Sequence, residues 1–398
     1  MKTVANYNFK GVKALVRVDF NVPLDENGQV SDDNRIRGAL PTIQKILDDG
    51  GAVVLMSHFG RPKGTVNAKY SLQQVVESVA TLTNRSVRFA LDCVGETTRM
   101  IIADLKMGEI LLLENLRFYA EEEKGDENFA RQLADLGCSV YVNDAFGAAH
   151  RAHASTATIA QFFAPEQCMF GYLMAAELQS AQRVTNNAKT PFGVIIGGAK
   201  VSDKILLIEN LLAPADVLLI GGGMAYTFWK AKGGAIGNSL LEADHIATAQ
   251  RIMELAEKNS CRLLLPEDSV AADRFANDAN TQICASNAIP DGYMGLDIGP
   301  KSIEAFTAAL NDCQTILWNG PMGVFEMPAF EQGTKAVAQK IVQLTAEKGI
   351  FSLIGGGDSA AAIHQFGWED EVSHVSTGGG AMLELLEGKV LPGVAAIG

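Results

Sequence analysis

Short apolar runs alternate with amphipathic helical patterns along the whole chain, and that alternation leaves few folds open. In the first half, residues 14–18 (ALVRV), 52–56 (AVVLM), 110–113 (ILLL) and 140–142 (VYV) have the length and apolar content of strands buried on both faces. Between them, residues 36–47, 71–82 and 127–136 carry apolar positions at helical spacing. Strand and helix in alternation predict right-handed βαβ units, hence parallel sheets covered by helices on both faces. The second half repeats the pattern at 194–196, 217–220, 315–318, 350–354 and 373–375. A chain of 398 residues exceeds what one hydrophobic core usually supports. The expectation is an α/β protein of two lobes, with the polar-faced helical stretch at 174–189, closed by Thr190 and Pro191, as the joint.

The formal net charge of −13 argues against nucleic acid or an anionic membrane as the main partner. An anionic ligand must therefore be held by a local cluster of basic groups. The cysteines at 93, 138, 168, 261, 284 and 313 have no CxxC spacing, so they read as reduced, mostly buried thiols of a cytoplasmic protein without a zinc site. The start, MKTVANYNFKG, lacks the apolar core of a signal peptide, and no apolar stretch is long enough to predict a membrane span.

Ligands of parallel α/β sheets bind beyond the carboxyl ends of the strands, which directs attention to the residues found there. Asp19, Phe20 and Asn21 follow the first strand, and Ser57, His58, Phe59, Gly60 and Arg61 the second. Asn115 and Arg117 follow the third, and Asp144 the fourth, with His150, Arg151 and His153 close behind. Arg35 stands at the start of the first helix. An acidic protein thus gathers arginines and histidines on one rim. Any single arginine at a strand end reads most simply as a surface ion pair. Several converging forks instead match a small, multiply charged anion, because guanidinium binds phosphate and carboxylate oxygens bidentately.

The second half places glycine at the same positions. Gly197 and Gly198 follow the run at 194–196, and Gly221, Gly222 and Gly223 follow 217–220. Asn319, Gly320, Pro321, Met322 and Gly323 follow 315–318; Gly355, Gly356, Gly357 and Asp358 follow 350–354; Gly378, Gly379 and Gly380 follow 373–375. Glycine turns on a ligand edge allow backbone to pack against a nucleotide and its phosphates. A helical pattern is expected to start after Gly198 and to carry Lys200 and Lys204 on one face, adding charge beside a helix start. Asp358 is placed either to coordinate a hard cation such as magnesium or to cap a helix. Glu326 is either a ribose acceptor or an exposed acid.

Two anionic substrates on two rims suit phosphoryl transfer, which needs positioning and charge neutralisation more than a covalent nucleophile. A dinucleotide-dependent dehydrogenase shares the sheet architecture, but the GxGxxG fingerprint is missing. A two-lobed anion-binding protein without chemistry is the other alternative, disfavoured because binding alone needs neither Lys200 nor Asp358.

The chain also resembles a known family. VRVDFNVP (16–23), DNRIR (33–37), SHFGRP (57–62), LLENLRF (112–118), DAFGAAHRAHAST (144–156), GGAKVSDK (197–204), ILWNGPMGVFE (316–326), GGGDS (355–359) and STGGGA (376–381) closely resemble phosphoglycerate kinase, in order and over essentially the whole chain. The resemblance implies two Rossmann-like lobes, each a parallel six-stranded sheet flanked by helices, joined by a hinge helix. Residues 1–172 would form the 3-phosphoglycerate domain, with 391–398 packing back on it, residues 173–189 the hinge, and 190–390 the nucleotide domain. The implied reaction moves the acyl phosphate of 1,3-bisphosphoglycerate to ADP, giving 3-phosphoglycerate and ATP, with Mg2+, in a cytoplasmic monomer.

On this resemblance Asp19, Phe20, Asn21 and Arg35 meet the carboxylate and hydroxyl end of the substrate, while His58, Phe59, Gly60, Arg61, Arg117 and Arg151 surround its non-transferring phosphate. Gly197, Gly198, Lys204, Asn319, Pro321, Glu326, Gly355, Gly356, Gly357, Asp358 and Ser359 match nucleotide contacts, with Asp358 on the metal. Gly221, Gly222, Gly223, Gly295 and Leu296 match the adenine and ribose pocket. Lys200 and Arg35, with the N–H groups of Gly356 and Gly379, would surround the moving phosphoryl group. The sequence departs from the commonest pattern at Phe59, Ala148, Met322 and Ser359, changes that touch no charged group.

Overall fold

The apolar runs of the first half become strands with almost fully buried interiors. In the computed structural model, which describes residues 1–398, these are β1 (Lys13–Val18), β2 (Ala52–Met56), β3 (Val87–Ala90), β4 (Ile110–Leu113), β5 (Val140–Asp144) and β6 (Cys168–Phe170). They form one parallel sheet in the order β3-β4-β2-β1-β5-β6. The edge strands β3 and β6 escape a sequence reading because VRFA is only half buried and CMF is three residues long. Asp144 proves to be the last residue of β5 rather than part of the loop after it.

Helices Asn34–Asp48, Val76–Thr83 and Glu127–Ala134 occupy the predicted helical stretches. The last begins where the Asp126 side chain accepts from the Phe129 N–H at 2.9 Å, satisfying one of the donors a helix start leaves open. On one face of the sheet, Val16, Val18, Val53 and Leu55 pack against Ile36, Ile43 and Ile46 of helix Asn34–Asp48. Each such buried side chain contributes about 2 kcal/mol relative to exposure.

The chain divides into two compact units, Met1–Gln179 with Val390–Gly398, and Ser180–Lys389. Helix Tyr172–Thr185 starts in the first, where Asp144 accepts from the Met174 N–H at 3.1 Å and Thr42 Oγ1 accepts from the Tyr172 N–H at 2.8 Å. The final residues complete the same unit: Leu391 and Ile397 are buried, and the Gly393 N–H donates to the Ala149 carbonyl at 2.9 Å.

The second unit contains β7 (Phe192–Ile196), β8 (Val217–Ile220), β9 (Ala235–Ile236), β10 (Arg262–Leu264), β11 (Asp268–Ala272), β12 (Thr281–Ala285), β13 (Ala288–Ile289) and β14 (Met294–Ile298). They are followed by β15 (Thr315–Asn319), β16 (Phe351–Ile354) and β17 (His374–Val375). Its main sheet is parallel, in the order β10-β8-β7-β15-β16-β17, so the chain is an α/β protein with two parallel six-stranded sheets. Trp318 and Leu219 of the sheet pack with Phe306, Val337 and Ile341 from helices Pro300–Ala309 and Gln332–Lys348.

Beside this parallel sheet the second unit carries strands that the sequence reading did not include. Strand β11 pairs antiparallel with both β12 and β14, in a small separate sheet. Residues 273–280 are too few to hold a crossover helix, so β12 returns beside β11 in the opposite direction.

Candidate functional site

In the first unit, the residues after β1, β2 and β4 are tied to one another through backbone groups. The Phe20 N–H donates to Ser57 Oγ at 2.8 Å and the Gly60 N–H to Asn21 Oδ1 at 2.8 Å. Asn115 is fully buried; its Oδ1 accepts from the Phe59 and Arg117 N–H groups, and its Nδ2 donates to the Phe59 and Tyr70 carbonyls. Strand ends locked this way hold charged side chains in place without ligand.

Arg35 NH1 donates to Asp19 Oδ2 at 3.0 Å and to the Asn21 carbonyl at 3.2 Å, bringing Asp19, Asn21 and Arg35 together as the sequence predicted. Arg117 is 3 % exposed and donates through NH1 to the Gly60 carbonyl at 2.9 Å. Its Nε lies 3.3 Å from Glu123 Oε1 outside hydrogen-bond geometry, and neither Nε nor NH2 makes a hydrogen bond. Burial, above the opposing attraction of Glu123, lowers the Arg117 pKa to about 10, so it stays cationic at neutral pH. A buried cation with free donors is arranged to receive an anion. Arg61 is exposed, and Arg151 donates from Nε to His150 Nε2 at 3.2 Å.

His58 and Phe59 are buried. Burial, then the charges of Arg17, Arg117, Arg35 and Arg151, push the His58 pKa well below its usual value, so the ring is neutral. Its Nδ1 lies 3.2 Å from Arg17 NH2. A guanidinium only donates, so Nδ1 accepts and the ring proton sits on Nε2. His153 is held neutral in the same way, with burial first among the causes and a pKa of about 3.

Arg17 is the residue that sequence reasoning missed. It lies inside β1, where the pattern predicted only core, yet it is fully buried and donates to Ser155 Oγ at 2.9 Å and to the Val18 carbonyl. The available signal was a charged residue inside an otherwise apolar strand, since a buried arginine needs fixed acceptors.

In the second unit, the glycine turns serve two different ends. A Cβ at Gly197 would overlap the Pro321 carbonyl, and one at Gly222 the backbone of Gly198. The Gly197 N–H donates to the Asn319 carbonyl at 2.9 Å, Gly198 to Pro321 at 2.9 Å and Gly222 to Met322 at 3.0 Å. These glycines bring the loops after β7, β8 and β15 together. Gly295 likewise leaves room for the Tyr226 hydroxyl, and buried Leu296 packs with Ala272 and Phe330. A Cβ on Gly198, Gly357 or Gly379 would meet nothing within 4 Å, so these three face open space.

Lys200 and Lys204 do not share a helix, contrary to the sequence expectation. The helix begins only at Ile205, with Lys204 as its N-cap residue, and Lys200 lies in the preceding loop. Glu242 is the physical reason: it accepts from the Ser202 N–H at 3.1 Å and the Ser202 hydroxyl at 2.6 Å, holding residues 201–204 in turns. Lys204 Nζ donates to Asn319 Oδ1 at 2.6 Å, and Asn319 Nδ2 donates to the Gly355 carbonyl at 2.9 Å. The Lys200 side chain is exposed.

Helix Gly357–Gln365 starts beside this network with Gly356 as N-cap, so Asp358 is not the capping residue. Asp358 and Glu326 are exposed, whereas buried Ser359 Oγ accepts from the Gly320 N–H at 2.5 Å. Gly379 precedes the seven-residue helix Gly380–Leu386.

A family model described as phosphoglycerate kinase matches residues 4–389. The chain belongs to the phosphoglycerate kinase family. It is 53% identical over 395 residues to the cytosolic phosphoglycerate kinase 3 of Arabidopsis thaliana, covering 99% of this chain and 97% of that protein. It is 51% identical over 418 residues to the phosphoglycerate kinase of Porphyromonas gingivalis, covering 99% of each. The solved structure of the Coxiella burnetii phosphoglycerate kinase superposes with a TM-score of 0.89 at 38% identity, over 99% of this chain and 98% of that one. Membership agrees with the motif resemblance and with both six-stranded sheets.

Proposed function

We infer that the chain catalyses the phosphoglycerate kinase reaction, reversible transfer of the acyl phosphate of 1,3-bisphosphoglycerate to ADP. The family match across residues 4–389 supports the activity, and the observation that carries the site assignment is Arg117, buried with donors unpartnered. In this reading Arg117, Arg151, Arg61 and His58 Nε2–H bind the phosphate that stays on the substrate, and Gly60 and Phe59 shape that pocket. Asp19, Asn21, Phe20 and Arg35 orient its carboxylate and hydroxyl end. In the second unit, Gly221, Gly222, Gly295 and Leu296 frame the nucleoside, with Glu326 accepting from the ribose. Gly197, Gly198, Lys204, Asn319, Pro321, Gly355, Gly357 and Ser359 hold the phosphate loops.

An ADP β-phosphate oxygen attacks the acyl phosphorus, and the carboxylate of 3-phosphoglycerate leaves. Both oxygens are already ionised near neutral pH, so no general base is needed. Lys200, Arg35 and the N–H groups of Gly356 and Gly379 are proposed to meet the charge on the moving phosphoryl oxygens. Helix Tyr172–Thr185 is the proposed hinge whose bending lets the substrates react and excludes water.

No group of three or more His, Cys, Asp or Glu side chains could hold a metal ion by itself. One exposed carboxylate, Asp358, fits Mg2+, which commonly combines one or two carboxylates with substrate phosphate oxygens. Bound there, the ion neutralises charge on the nucleotide phosphates. The reading also takes the working form to be a cytoplasmic monomer without nucleic-acid or membrane partners. The net charge of −13 supports the first exclusion, and no helix is long and apolar enough to cross a membrane.

The test is ADP release from MgATP with and without 3-phosphoglycerate, beside Asp358→Ala. Release that needs 3-phosphoglycerate and falls steeply in the variant is expected. No release from the native chain, with both ligands still binding, would overturn the reading in favour of a binding protein.

A further inference from the structure

Glu122 belongs to the short helix Ala120–Lys124 and is fully buried, in the middle of the basic cluster of the first unit. Its carboxylate accepts from the Ser155 N–H at 3.0 Å and from the Ser155 hydroxyl at 2.6 Å, and its backbone carbonyl accepts from the Ala154 N–H at 2.9 Å. His153 Nδ1 lies 3.9 Å from Glu122 Oε1. One residue thus fixes residues 153–155, just beyond Arg151.

The direction of the hydrogen bonds carries the inference. Ser155 Oγ both donates to Glu122 and accepts from Arg17 Nε at 2.9 Å. Arg17 in turn donates to His58 Nδ1 at 3.2 Å, which leaves the proton of the neutral ring on Nε2. Every acceptor bonded to the Arg17 guanidinium is neutral: a hydroxyl, a carbonyl and an imidazole nitrogen. Glu122 lies one hydroxyl away from the guanidinium, and at the other end of the line Asp19 Oδ1 lies 3.8 Å from His58 Nδ1. The acceptor at position 122 takes the Ser155 proton and leaves an Oγ lone pair for the Arg17 Nε–H, while its second oxygen takes the Ser155 N–H. We propose that Glu122 is a positioning residue for the phosphate-binding site, acting through the Ser155 hydroxyl to orient Arg17 and, beyond it, the Nε2–H face of His58.

Packing alone does not explain a carboxylate at this position. A buried carboxylate is costly, and an apolar side chain of similar volume fills space with no such cost. Burial raises the Glu122 pKa, and the charge of Arg17 is first among the influences that oppose it. A glutamine in its place keeps at most one of the two bonds to Ser155. Its NH2 group faces the Ser155 N–H, donor against donor, or in the flipped amide donates toward Oγ and competes with Arg17.

The inference rests on the proposed activity, and the experiment separates the two. Glu122→Gln and Ser155→Ala are compared with the native enzyme in 3-phosphoglycerate-dependent ADP release, with melting temperatures as the measure of folding. The expected result is a rise of about tenfold in KM for 3-phosphoglycerate in each variant, from displacement of a site group by a fraction of an ångström. KM for ATP and kcat stay within about twofold, and the double variant is no worse than the worse single one. In nitrogen NMR, His58 loses its single Nε2–H tautomer in Glu122→Gln. A lower melting temperature with an unchanged KM for 3-phosphoglycerate, or equal rises in both KM values, overturns the proposal. If Glu122→Gln does not fold, Ser155→Ala decides alone by the same criteria. A native chain without 3-phosphoglycerate-dependent release would instead refute the activity.

Discussion

Arg117 and Lys200 carry the same charge in opposite circumstances, one buried and part-bonded, the other exposed in a loop. For Arg117 the ligand-free chain bears a desolvated cation with donors unused, a cost that the proposed substrate phosphate would relieve. Arg117→Met should therefore change the stability of the ligand-free protein by no more than about 1 kcal/mol in thermal unfolding. The added stability that saturating 3-phosphoglycerate gives the native chain should fall by at least about half. Large destabilisation without ligand and an intact ligand effect would mark Arg117 as structural. Lys200 has the converse profile: little holds it in place, so its proposed contribution belongs to the transition state. Lys200→Ala should lower kcat on the order of 100-fold while nucleotide binding, followed by calorimetry, changes by a small factor. Equal losses in both would make it an anchor.

At the level of elements, the ends of strands and the starts of helices carry the proposed site residues, and Asp144 shows how tightly they are built. It ends β5 and receives the Met174 N–H at the start of helix Tyr172–Thr185, while its Oδ2 is buried without a partner. Burial raises its pKa to about 7, against the hydrogen bonds from Thr42 and the helix N–H groups. A carboxyl whose pKa is higher folded than unfolded stabilises fully below about pH 4 and loses that contribution as pH rises through about 7. Asp144→Asn keeps an acceptor for the helix and cannot ionise. Relative to the native chain, the variant should gain stability between pH 5 and pH 8, on the order of 1 kcal/mol or more. Urea midpoints at the two pH values measure it, and an unchanged difference would show that Asp144 does not titrate in this range. The glycine turns of the second unit teach the complementary lesson. Gly197 and Gly222 are required by neighbouring backbone, so glycine on a ligand edge does not by itself mean ligand contact.

For the molecule as a whole, the division into units is not a simple cut in the chain. Residues Val390–Gly398 leave the second unit and complete the first, where Leu391 and Ile397 are buried and Gly393 is bonded to Ala149. Ala149 lies two residues from Arg151, so a chain ending at Lys389 should lose both stability and phosphate affinity. Removing two buried side chains of this size costs about 2–5 kcal/mol each at most. The expected readouts are a lower unfolding temperature and a raised KM for 3-phosphoglycerate with KM for ATP nearly constant. A truncated chain matching the full one in both would show the tail to be dispensable.

The strand periods, the helix stretches and the rim residues were legible in the sequence because each depends on local pattern: apolar runs, helical spacing, and charge or glycine at strand ends. Tertiary structure decided what depends on distant partners. Arg17 looked like an interruption in a strand until Ser155 and His58 arrived beside it from elsewhere in the chain. Lys200 and Lys204 looked like one helix face until Glu242 held Ser202 in a turn. Strand β12 returns antiparallel to β11 because the short connection between them left no room for a crossover, and β14 pairs on the other side of β11. Local sequence fixes the backbone's preferences one turn at a time, whereas burial and hydrogen-bond satisfaction are settled only when remote segments supply the acceptors and the walls.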